Sequence, residues 1–93
     1  MAAVAKLNAV AVRRRIGGRV AELRRANEWT QEQLATELGV SFKYVQSIEY
    51  GHENLGVDSL VALANALRVS IESLFERPAE RGRRRPGRPK VAR

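Results

Sequence analysis

Residues 30–51 read TQEQLATELGVSFKYVQSIEYG. Thr30, with Gln33 three residues on, makes a capping box: the hydroxyl accepts from the Gln33 amide, and the Gln33 side chain reaches back to the Thr30 amide. The spacing predicts a helix over Gln31–Leu38. Trp29 precedes the cap and Leu34 sits at the fourth helical position, so the two can close as a hydrophobic staple. Trp29 is therefore read as a packing residue. Gly39 is placed to end the helix in the left-handed conformation. Ser41 then caps a second helix, Phe42–Tyr50, with Val40 and Val45 as its staple and Gly51 at its end. Two helices joined by Gly39-Val40-Ser41 make a helix-turn-helix, in which the chain reverses in three residues and the second helix protrudes.

At 100° per residue, Val45 and Ile48 mark the buried side of that second helix. Lys43, Gln46, Ser47 and Tyr50 gather on the other side, with Phe42 at its edge. A solvated face rarely carries two aromatic rings on so short a helix. An α-helix fits the major groove of B-DNA with its N-terminal residues at base edges. Lys43 can donate to guanine O6 and N7, and Gln46 can bond adenine directly or act through water. Ser47 can donate or accept, and Phe42 can press on a thymine methyl. Gln31 opens the first helix, where free amides and the helix dipole suit a phosphate. On position alone, an ordinary polar first-turn residue fits there equally well. Tyr50, and His52 and Asn54 in the loop after it, are assigned with Gln31 to the DNA backbone.

Outward from this pair, three more helices are predicted and no strand. The first covers Val12–Ala26, with Val12, Ile16, Val20 and Leu23 as its apolar stripe. Gly17 and Gly18 inside it mark either a close packing contact or a late helix start, since each costs about 1 kcal/mol relative to alanine. The fourth covers Val57–Leu67 with Leu60, Leu63, Ala64 and Leu67 on one face. The fifth covers Ile71–Glu76, capped by Ser70, with Ile71, Leu74 and Phe75 buried. The chain thus divides into an N-terminal extension (residues 1–11), a DNA-binding domain (12–76) and a basic tail (77–93). The tail is rich in arginine, proline and glycine, has almost nothing to bury, and is expected to be disordered when free.

Charge is unevenly placed. Residues 1–76 hold nine Lys/Arg and nine Asp/Glu, so the net charge of +7 belongs entirely to residues 77–93. Within the domain, residues 1–27 are net +6 and residues 28–76 net −6. A basic balance of this kind points to nucleic acid through the tail and the first helix. There is no cysteine, which excludes disulfides, thiolate metal sites and a cysteine nucleophile. The single histidine, His52, lacks the partners of a metal site. No run approaches the ~18 apolar residues of a membrane span. The N-terminus is apolar first and basic after, the reverse of a secretory signal, and reads as a lead-in to the domain. No carboxylate pair has a histidine or serine partner in a plausible cleft, so an enzyme is not expected, nor a cofactor, a metal or a small-molecule ligand.

The runs IGGRVAELRRANEWTQEQLATELGVS, YVQSIEYG and SLVALANALRVSIESLF together resemble the phage-repressor/Cro helix-turn-helix family, also called XRE. The resemblance implies an all-α, five-helix, lambda-repressor-like domain that binds DNA sequence-specifically, usually as a homodimer on a two-fold operator. It implies that Gln31 clamps a backbone phosphate and that Phe42, Lys43 and Ser47 read bases. It also implies a structural ion pair between Arg24 and Glu49, for which there is a separate reason: an acid at the margin of a buried face should be partnered. The stretch YVQSIEYGHENLGVDSL is similar to the controller proteins of restriction–modification systems. Antitoxins share much of it, so a toxin partner is an alternative, as is an architectural, nucleoid-type role. The expected location is the cytoplasm, on the nucleoid. Gly56 and Arg68 depart from the family pattern, standing where a capping Ser/Thr and a turn glycine are usual. The segment RPGRPK resembles an AT-hook, whose arginines enter a narrow A·T minor groove. With the Arg-Gly-Arg core of RGRRR (residues 81–85) just before it, this assigns Arg83, Arg84, Arg85, Arg88 and Lys90 to the minor groove; a plain basic tail is the alternative.

Overall fold

The computed structural model describes residues 6–79. Among them are four α-helices, α1 (Ala9–Ala26), α2 (Gln31–Leu38), α3 (Phe42–Glu49) and α4 (Val57–Leu67), followed by a short 3₁₀ helix, Ile71–Phe75. No strand occurs among the described residues, and none of their helices is long and apolar enough to cross a membrane.

The expected fifth α-helix is thus a 3₁₀ turn. Ser70 caps it by accepting from the Ser73 amide, and Glu76 N–H closes back to Ser73 O, an i→i+3 bond. Pro78 follows two residues later and turns its predecessor away from helical geometry, so no further α turn can be added. Leu74 is its buried anchor, Ile71 is half-buried, and Phe75 is 40% exposed instead of buried. The first helix starts earlier than Val12, because the Asn8 side chain caps it by accepting from the Ala11 amide at 3.2 Å.

The α2 cap is the reciprocal box: Gln33 N–H donates to Thr30 Oγ1 and Thr30 N–H to Gln33 Oε1. Trp29 is half-buried and packs against the core cluster that includes Leu34. Val40 is 36% exposed, while Val45 is fully buried. Gly39 ends α2 at φ +72°, and Ser41 caps α3 through the Tyr44 amide. Arg68 ends α4 at φ +61°, a conformation that costs a side-chain-bearing residue roughly 1–2 kcal/mol. Gly56 opens α4 with no side-chain cap bond.

The core runs through every element: Ile16 and Val20 from α1, Leu34 and Ala35 from α2, Val45 and Ile48 from α3, Leu63, Ala64 and Leu67 from α4, and Leu74. Burial of this set is the main non-directional stabilisation. Arg19 ties the last turn to α1. Its Nε donates to Ser73 O at 2.8 Å, and its Nη atoms reach Ser73 Oγ, Glu22 and Glu76. Pro78 and Ala79 stay on α1, with Ala79 N–H donating to Glu22 Oε2 at 2.9 Å.

The two glycines of α1 serve close packing, not a late start. Gly17 is buried where α1 meets the end of α3: a Cβ there would run into the Ile48 carbonyl oxygen and lie 2.7 Å from that of Glu49. A Cβ on Gly18 would meet only the Pro78 ring, at 2.9 Å. Gly17→Ala should therefore cost about 2 kcal/mol or more even after its gain in helix propensity, because the obstruction is backbone. Gly18→Ala should stay within about 1 kcal/mol, because the terminal segment can move aside. Urea denaturation followed by circular dichroism measures both, and equal losses would show that α1 and α3 do not depend on this approach.

Candidate nucleic-acid interface

Helix α3 packs on α1 and α2 through its buried Val45 and Ile48. Its other side faces outward. Lys43 is exposed there, Phe42 is 41% exposed and Tyr50, at the helix end, 62%. Gln46 is half-buried beside them. Lys43 is the only basic side chain on α3. His52 and Asn54 are exposed in the loop that follows, and the His52 ring stands 6.0 Å from that of Tyr50, tilted by 58°. The outer face of α3 and this loop therefore form one surface. Arg83, Arg84, Arg85, Arg88 and Lys90 lie outside the described residues.

One carboxylate sets the position of α3. Glu49 has a side chain only 5% exposed. Its Oε2 accepts from Arg24 Nε at 2.7 Å, and its Oε1 accepts from Arg24 Nη2 at 3.1 Å and Gln31 Nε2 at 2.9 Å. The two-point Arg24 bond is the fork geometry that suits guanidinium and carboxylate. Arg24 Nη1 in turn donates to Trp29 O at 2.8 Å. The end of α1, the turn after it, the start of α2 and the end of α3 are thus joined in one polar cluster. Gln31, assigned above to phosphate, has its amide nitrogen held inward, which fixes the side chain beside the free amides of α2.

Two features escape the sequence reading. Gly51, at φ +82°, turns the chain back after α3, and a Cβ there would lie 2.8 Å from Arg14 Cα. The exposed Arg14 of α1 is thereby brought beside the loop; the basic run Arg13–Arg15 was its only signal. Second, Ser47 is half-buried and donates its hydroxyl to Glu53 Oε2 at 2.8 Å. In sequence Glu53 is an isolated loop acid, and the turn-forming Gly51 was the one hint that it returns to the helix.

The helix-turn-helix family HTH_3 matches residues 20–74. An uncharacterized transcriptional regulator in the ATPase CF(0) region of Rhodospirillum rubrum is 39% identical over 67 residues, 72% of this chain and 61% of that protein's length. An uncharacterized HTH-type transcriptional regulator of Sinorhizobium fredii is 41% identical over 59 residues, 63% of this chain and 77% of the relative. Among solved structures, the restriction-modification controller protein C.AhdI from Aeromonas hydrophila superposes with a TM-score of 0.67 at 35% identity, covering 70% of this chain and 98% of the controller.

The polar cluster makes a testable demand. Arg24→Ala or Glu49→Ala leaves a buried charge without its partner, and each should cost roughly 3 kcal/mol of stability. The double variant should cost clearly less than the two losses added, because no charge is orphaned. A double-mutant cycle by chemical denaturation checks this, and strict additivity would contradict the coupling.

Proposed function

The chain belongs to the HTH_3 (XRE-type) helix-turn-helix family of transcriptional regulators, not to an enzyme class, and from that premise we propose that it binds a two-fold operator as a homodimer. The observation that carries this reading is the outer face of α3, with Phe42, Lys43 and Tyr50 exposed on a helix whose buried side is held by Val45, Ile48 and Glu49. On this reading α3 enters the major groove, and Phe42, Lys43, Gln46 and Ser47 face base edges. Gln31 at the start of α2, and Tyr50, His52 and Asn54, take the flanking phosphates. Residues 12–76, with the first turn of α1 from Ala9, form the DNA-binding domain. Val57 and Val61, exposed apolar side chains four residues apart on α4, and the exposed Phe75 of the last turn favour self-association. The site of action is the nucleoid, in the cytoplasm.

Helix α3 carries a single basic side chain, Lys43, and Glu53 stands close by. The C-terminal segment offsets this: residues 80–93 hold seven Lys/Arg and one acid. They add phosphate contacts, or minor-groove contacts through Arg83, Arg84, Arg85, Arg88 and Lys90.

Lys43→Ala should cost about 1–3 kcal/mol on the preferred site and relax preference at one base pair per half-site. Half-site centres should lie about 10–10.5 bp apart or a multiple of that. Selection from a random DNA pool at stated salt checks both; a loss equal on all sequences would make Lys43 a phosphate contact. Removing residues 80–93 should weaken binding and flatten the slope of log K against log salt by about 0.9 per lost phosphate contact. If the segment enters the minor groove, the loss is greatest on sites flanked by A·T-rich DNA.

A further inference from the structure

Ser47 lies between two demands. As a base-reading residue it can donate a proton or accept one, which suits either class of base edge. A serine hydroxyl has only one proton, and here that proton is committed: Ser47 Oγ donates to Glu53 Oε2 at 2.8 Å. A carboxylate can only accept, so the direction of this bond follows from chemistry. What remains free on Ser47 Oγ is its lone pairs.

The fold holds Glu53 in place. His52 N–H donates to Ser47 O at 2.9 Å, Gly51 turns at φ +82°, and the next residue but one returns to the helix. Glu53 is half-buried and lines a hollow with Val12, Arg13, Ile48 and Leu55, so its carboxylate is not a loose surface group.

We propose that Glu53 makes Ser47 an obligate hydrogen-bond acceptor, so that Ser47 reads the exocyclic amino group of one base pair per half-site, adenine N6 or cytosine N4, and not a keto oxygen or purine N7. This rests on the DNA-binding reading above. It makes Glu53 a specificity-determining residue that acts through its neighbour.

The test uses the full chain, its selected operator, and base analogues that delete single major-groove groups. Ser47→Ala first locates the base pair, as the position where preference is lost while it persists elsewhere. At that pair, replacing the base by an analogue without its exocyclic amino group should weaken binding of the unaltered chain about twofold to tenfold, the worth of one hydrogen bond. It should leave Ser47→Ala unaffected. Deleting the keto oxygen or N7 of the same pair should change neither. Glu53→Gln has the same shape but can accept from the hydroxyl or donate to it, so the amino-group penalty should shrink in that variant. The proposal fails if the keto oxygen or N7 carries the effect, if Glu53→Gln keeps the full penalty, or if Ser47→Ala alters no position. A chain that selects no sequence at all defeats the DNA-binding reading itself, an outcome distinct from these three.

Discussion

The Glu49 carboxylate is the constraint on which the rest depends. Apolar burial pulls α1, α2 and α3 together, but it is non-directional and leaves their angles loosely set. Glu49 supplies direction. Removing a carboxylate from water is costly and is compensated only when its oxygens are well bonded. Both oxygens are, by Arg24 from α1 and Gln31 from α2. The geometry that satisfies all three donors is also the one that places α3 outward. Arg24 adds the Trp29 carbonyl, so the same guanidinium fixes the turn from α1 to α2.

This arrangement needs α1 and α3 to touch backbone to backbone. Gly17 permits it, because any side chain at that point would occupy the space of the carbonyls at the end of α3. The carboxylate and the glycine act together: one pulls the end of α3 toward α1, the other removes what would keep it away. Arg19 does the corresponding work at the other end, binding Ser73 and so holding the 3₁₀ turn against α1.

Much of this was legible in the sequence, for physical reasons that differ by element. Local signals served best. Thr30 with Gln33, Ser41, Gly39 and the apolar spacing of α2, α3 and α4 act within a few residues, and each appears where its chemistry placed it. What failed depended on neighbours or on short range weakly expressed. Ile71–Phe75 carries a cap and apolar spacing but too few residues before Pro78 to complete an α-helix. Phe75 fits a buried stripe, yet it lies at the edge of a hollow shared with α1 and is 40% exposed among the described residues. Asn8 is a good cap that the apolar stripe starting at Val12 obscured. On the surface of α3, the wheel sorted exposed from buried side chains. It was blind to Glu53, because a hydrogen bond spanning six residues across a turn has no periodicity to reveal it.

The separation of faces on α3 bears on how such a protein can change. Val45, Ile48 and Glu49 hold the helix, while Phe42 and Lys43 touch little of the core. Substitutions at exposed positions of this kind typically shift stability by no more than about 0.5 kcal/mol. The outer positions can therefore drift through many side chains while the fold stays under selection elsewhere, and descendants of one duplicated gene could acquire different operators one substitution at a time. Position 47 is the exception. Its hydroxyl is tied to position 53, so a lineage that alters either residue inherits a mismatch at the other. The two are expected to evolve as a linked pair, with the order of their replacement deciding which intermediates survive.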